Sequence, residues 1–224
     1  MIYTLRNALF SVFLLLFATV SVLGQDEAKE SKEAAYTRVI NERAAKIVAT
    51  LGITDVPTSS RVQQTIVQQY RDLNAIHEGR KEAVKRLSET TSKETLETER
   101  NRVETETNSK LEKLHKEYVA ALARELTAMQ VDQVRDGMTY GVLPITYKGY
   151  QAMLPDLTDA QKTQILSWLT EARERAMDVG TSEGKHAVFG KYKGKINNYL
   201  SAAGIDMKKA GKEWEERIAK EAKK

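Results

Sequence analysis

The run VQQTIVQQYRDLNAIHEGRKEAVKRL, Val62 to Leu87, decides the fold. Its apolar residues Val62, Ile66, Tyr70, Leu73, Ile76, Val84 and Leu87 recur at spacings that keep one helical face. The following segment repeats the pattern with Leu96, Val103, Leu111, Leu114, Tyr118, Leu122 and Leu126. No proline falls between Arg61 and Met138, and Gly79 and Gly137 are the only glycines there. The two segments therefore read as antiparallel helices joined near SETTSKE, a helical hairpin, and the chain as all-α. Ser60 with Gln63 has the spacing of a capping box at the start of the first helix. The stretch from Lys85 to Lys113 carries only Leu87, Leu96, Val103 and Leu111 as large apolar residues, so the hairpin tip is expected to stand in solvent. Val62 to Leu87 alone would span about 40 Å.

Outward from the hairpin, QVRDGMTYGVLPITYKGYQAMLPD, residues 133–156, reads as a connector because Gly141, Pro144, Gly149 and Pro155 punctuate it. Beyond it LTDAQKTQILSWL opens a second helical half. Thr158 and Gln161 have capping-box spacing, and Leu157, Ile165, Leu169, Ala172 and Ala176 form a buried stripe that should end near Gly180. The organisation that results is a signal peptide at 1–24, an N-terminal helical half with the long hairpin at 25–140 and a C-terminal helical half at 141–224.

The signal peptide rests on Arg6, the apolar run from Ala8 to Leu23 and the small residue Gly24, with cleavage expected near Gly24 and Gln25. The run is shorter than the ~20 residues a spanning helix needs, so no membrane association is expected after cleavage and the protein is expected in the periplasm or secreted. The chain has no cysteine, which excludes disulfides and thiolate chemistry. Its formal charge is +4, and loss of Arg6 takes one unit from that, an excess too small to point to nucleic acid.

Chemistry concentrates in GTSEGKHAVFGKYKGKINNYLSAAG, Gly180 to Gly204, the stretch that breaks the helical pattern most. Lys185, His186, Lys191, Lys193 and Lys195 stand there against the single acid Glu183, interleaved with Phe189, Tyr192 and Tyr199 and followed by Asn197 and Asn198. Aromatic faces can stack on sugar rings, and lysines can meet uronate, sulfate or phosphate groups. With Trp168, these residues form the candidate ligand-binding set. The competing reading makes Phe189, Ile196, Tyr199 and Leu200 the core face of a helix with lysines outside, and Trp168 a core filler.

The histidines His77, His115 and His186 invite a second idea: His77 with Glu78, and Glu183 with His186, would matter if the two halves met face to face. There is no His-Glu-x-x-His, no phosphate loop and no Gly-x-Ser-x-Gly turn, so no metal, cofactor or catalytic residue is assigned. A carboxylate pair brought together in space stays open.

Two Leu-Thr-x-x-Gln motifs, Leu126 to Gln130 and Leu157 to Gln161, resemble those of the bacterial periplasmic Spy and CpxP chaperones. The run from Asp136 to Asp206, ending TEARERAMDVGTSEGKHAVFGKYKGKINNYLSAAGID, looks like a family of secreted Bacteroidetes proteins classed as a domain of unknown function, family 3826. That resemblance implies an exported all-helical domain, frequent encoding beside polysaccharide-degradation genes and no established reaction. The expected function is a non-catalytic binding or accessory protein for an anionic glycan. The alternatives are a holdase that meets unfolded protein through its hairpin and a hydrolase or lyase with an acid–base pocket. Oligomeric state is not fixed by any of these features.

Overall fold

The computed structural model describes residues 31–221 and is all-α. The signal-peptide segment and its cleavage point lie outside the described residues. Eight helices are described: α1 (Lys32–Ala49), α2 (Val56–Thr90), α3 (Lys93–Ala123), α4 (Ala128–Met138), α5 (Val142–Met153), α6 (Asp159–Met177), α7 (Ser182–Ala202) and α8 (Met207–Glu221). None of them is long and apolar enough to cross a membrane.

The hairpin is α2 against α3, joined through Thr91 and Ser92. At 35 residues α2 is about 50 Å long. It starts earlier than the Ser60–Gln63 box implies. Asp55 caps it by accepting from the Thr58 N–H at 2.8 Å, and Pro57 occupies the first turn, where its missing N–H costs nothing. Burial along the hairpin is confined to its base: Val62, Ile66, Gln69 and Leu73 on α2, and Thr107, Tyr118 and Leu122 on α3. No residue from 74 to 106 is buried, so the outer part of the hairpin projects from the body, as its charge-rich sequence predicts.

Two hydrophobic clusters organise the body. The first joins the hairpin base to Ala44, Ile47 and Val48 of α1, Leu51 just beyond it, Val131, Val134 and Met138 of α4, and Met177. The second packs Leu143 and Tyr150 of α5, Ile165, Leu169, Ala172 and Ala176 of α6, and Phe189, Ile196 and Leu200 of α7 around Ala210 of α8. Helix α6 serves both clusters, because Met177 turns from the second toward the first. Gly137 lets α1 and α4 approach closely: a Cβ there would lie 2.7 Å from Ile47 Cγ1.

Both Leu-Thr-x-x-Gln motifs are capping boxes, Thr127 with Gln130 on α4 and Thr158 with Gln161 on α6. Gln130 also donates to the Leu51 carbonyl at 2.9 Å, so its motif fixes α4 onto the end of α1.

The connector expectation needs correction. The stretch at 133–156 is mostly the end of α4 and α5, with the turn compressed into Thr139 to Gly141. Pro144 sits in the first helical turn, whose N–H groups have no intrahelical acceptor, and the first ladder bond runs from Ile145 to Gly141 at 3.2 Å. The glycine-rich stretch after Gly180 is an unbroken 21-residue helix, α7, in keeping with the reading that put Phe189, Ile196 and Leu200 on a helical core face. Burial of Phe189, Ile196 and Leu200 outweighs the weak helix propensity of Gly184, Gly190 and Gly194.

Candidate functional site

A cleft of about 770 Å³ opens where the projecting hairpin meets the C-terminal end of α6. Helical periodicity builds its walls. His77 and Arg80 lie one turn apart on α2, Glu104, Asn108 and His115 face them from α3, and Glu174, Arg175 and Asp178 come from the end of α6. Thr107, Leu111, Val179 and Val188 supply less polar lining.

His115 is the centre of this cleft. Its Nδ1 lies 3.0 Å from Asp178 Oδ1 and its Nε2 lies 3.3 Å from Glu174 Oε2. The hydrogen bond to Asp178, then that to Glu174, raises its pKa to about 9 against the opposing effect of burial, so the ring is an imidazolium at neutral pH. Burial pushes the Glu174 carboxyl upward. Its bond to His115 and the charges of Arg135 and Arg173 outweigh that, and it ends below its usual range. Behind Glu174 stands Arg173, 6% exposed, whose Nη1 reaches Asp136 at 3.0 Å and whose Nη2 reaches Asp132 at 2.9 Å.

His77 touches the same turn from the other side. Its Nε2 is 2.7 Å from the Asp178 carbonyl, and since a carbonyl only accepts, that nitrogen carries the proton. Arg80 forks onto Glu104 across the hairpin. The halves thus do meet through histidines and carboxylates, but not through Glu78, Glu183 and His186. Sequence reasoning missed His115, Glu174 and Asp178 as a group because 63 positions separate His115 from Asp178, and only their shared place at a helix junction unites them.

The sequence-predicted ligand residues are divided by the geometry of α7. Successive residues turn by ~100°, so Val188, Lys191, Tyr192 and Lys195 share one side while His186, Lys193 and Asn197 share another. On the first side, Lys195 Nζ sits 4.6 Å from the centroid of the Trp168 ring and 5.8 Å from that of Tyr192. Trp168 packs edge-on against Tyr199 at 5.3 Å, and the Tyr192 hydroxyl donates to Glu171, which also receives Arg175 at 2.8 Å. Asn198 is exposed beside Lys191.

On the second side, His186 stacks on Tyr140 at 5.4 Å, and the Tyr150 hydroxyl donates to Asn197 Oδ1 at 2.7 Å and to the Lys193 carbonyl at 3.3 Å. Phe189 is fully enclosed and Lys185 is 5% exposed. The set is therefore not one surface: Trp168, Lys191, Tyr192 and Lys195 come together, and the remainder do not join them.

The first side adjoins the cleft. Val188 and Arg175 line the cleft, and Glu171, Tyr192, Trp168 and Lys195 follow from them as a surface stripe along α6 and α7. From Asp178 back to Trp168 the stripe is about 15 Å long. The surface offers alternating cations, carboxylates and half-buried aromatic rings, which suits a polar, extended ligand. No group of three or more His, Cys, Asp or Glu side chains is placed to hold a metal ion among the described residues.

No curated protein matches the chain. The model of one protein family matches residues 37–220, which span α2 to α7 whole with most of α1 and α8, and that family carries the description protein of unknown function. The chain belongs to this family, DUF3826.

Proposed function

We propose that this protein is an exported, non-catalytic binding protein for an anionic oligosaccharide, which lies in the cleft and along the α6–α7 stripe. The observation that carries the reading is the continuity of the two: Arg175 of the cleft is linked through Glu171 and Tyr192 to the Lys195–Trp168 pair. Such a path presents aromatic rings for sugar faces and cations for acid groups over several sugar lengths. The sequence likeness to secreted Bacteroidetes proteins encoded beside polysaccharide-degradation genes, together with the N-terminal signal pattern, supports the compartment and the ligand class. A binding role also suits the balance of charge in the cleft. His115 is held between two carboxylates with both ring nitrogens engaged, so it is locked as a cation rather than left ready to exchange a proton.

Isothermal titration of the mature protein with acidic and with neutral oligosaccharides tests this. Acidic fragments should bind, and Trp168→Ala or the double change Lys191→Ala, Lys195→Ala should each weaken them about tenfold, ~1.4 kcal/mol. Lys193→Ala, on the other side of α7, should leave affinity unchanged. Equal binding of acidic and neutral fragments, or indifference to both stripe variants, would overturn the reading. If no sugar binds while the protein suppresses aggregation of a denatured client, the hairpin holdase replaces it.

A further inference from the structure

Behind the Asp178 to Gly180 turn, separate from the cleft, lies a small cavity of about 50 Å³ between α1, α2, the Tyr140 turn and the start of α7. Its polar lining comes from Tyr36, Arg43, Tyr70, Asn74, Tyr140, Ser182 and Lys185, and no carboxylate lines it. Lys185 is 5% exposed, and its ammonium has three N–H donors of which one is satisfied, by the Met177 carbonyl at 3.2 Å. No second acceptor for it is found among the described residues. Arg43 makes no ion pair among them either, and its charge acts on Lys185, Tyr36 and Tyr70 together. The nearest acid to Lys185, Asp178, has Oδ1 committed to His115.

Lys185 thus places a buried ammonium at a cavity that no carboxylate lines, a desolvation cost that calls for a counter-charge, and Arg43 adds a second, solvent-exposed cation to the same wall. Burial lowers the Lys185 pKa to about 8, the direction expected of an ammonium short of partners. The rest of the wall holds groups able to donate, Tyr70, Tyr140, Asn74 and Ser182, while Tyr36 spends its proton on the Tyr70 carbonyl at 2.9 Å. Burial raises the Tyr70 phenol to about 12, so it keeps its proton. Tyr140 is held at φ 60 while stacked on His186, a left-handed conformation uncommon for a tyrosine.

We propose that this cavity binds one small oxyanion, of carboxylate size, between the Lys185 ammonium and the Arg43 guanidinium, with the Tyr70 and Tyr140 hydroxyls as further donors. The source is either a free anion or the acid group of a larger molecule. The site is independent of the glycan stripe, from which the Asp178 to Gly180 turn divides it.

The test is titration of the full mature protein with acetate, sulfate, phosphate and a monomeric uronate, against chloride at matched ionic strength, read by thermal shift and by ¹³C-acetate line broadening. Acetate should give a saturable response that chloride does not. Lys185→Met, which keeps an apolar stem of similar length, and Arg43→Gln, at an exposed position, should each weaken it at least tenfold, while Trp168→Ala should leave it intact. Circular dichroism checks that Lys185→Met folds; if it does not, Arg43→Gln decides. Displacement of acetate by the uronate assigns the source to a sugar acid, and acetate binding without it to a free anion. An acetate response equal to that of chloride, or one unchanged in both variants, overturns the proposal.

Discussion

Gly180 has room for a hydrogen and nothing more. A Cβ there would lie 2.8 Å from His77 Cδ2, against a ring that is itself tied to the Asp178 carbonyl. Gly180→Ala should therefore push His77 away, break that hydrogen bond and destabilise the protein by about 1–3 kcal/mol, the usual cost of overpacking, as read from chemical denaturation. Thr158 illustrates the opposite case, where a residue's role was legible in four letters of sequence. Its side chain accepts from the Gln161 N–H at 3.2 Å, while the Gln161 side chain accepts from the Thr158 N–H at 2.9 Å. Thr158→Ala should cost about 1 kcal/mol and leave ligand affinity unchanged in the titration described above. The cap could be read because it is made within three residues. The Gly180 constraint could not, because the atom that enforces it lies on α2, about a hundred positions away.

At the scale of elements, the hairpin and α6 are held together by a titrating contact. His115 on α3 has its pKa raised to about 9 by Asp178 and Glu174, so its contribution is complete below the unfolded value of ~6.5 and is lost as pH rises to 9. That contribution is at most about 3 kcal/mol. Lys185 acts in the other direction. With its pKa lowered to about 8, it costs stability at and below neutral pH and returns that cost between pH 8 and its unfolded value of 10.5. Urea unfolding between pH 6 and pH 9 should show wild-type stability falling, and His115→Gln should flatten that fall. A steeper fall in the variant would mean that His115 is not the group responsible. The hairpin itself was legible from periodicity, but its first-turn geometry was not. Both Ser60 and Asp55 are acceptable caps by type, and the Pro57 turn selected Asp55. For α7 the sequence offered both a helical core face and a ligand site, because its glycines weaken propensity, a local quantity, while the burial of Phe189, Ile196 and Leu200 that secures the helix is not local.

At the scale of the whole molecule, two hydrophobic clusters share α6, and Arg173 fastens that helix to α4 through Asp132 and Asp136. The guanidinium is buried, so its removal leaves two acids and Glu174 without their common partner. Arg173→Met should destabilise by about 2–4 kcal/mol, less than a fully enclosed pair would lose because Asp132 is half exposed. Calorimetry should show the loss as a lower melting temperature, and an unchanged melt would remove Arg173 from the joint.

What the sequence determined by itself was local or periodic: the all-α class, the hairpin and its solvated tip, the stripe of α6 and the two capping boxes. These follow from spacings of three and four residues, which a helix converts directly into faces and caps. Tertiary structure alone decided which residues share a site. It divided the lysines of α7 between opposite sides, joined His115 to Glu174 and Asp178, and placed Arg43 beside Lys185. The reason is physical: a helix fixes where its own side chains point, while which side chains meet across helices depends on the burial that packs one helix against another.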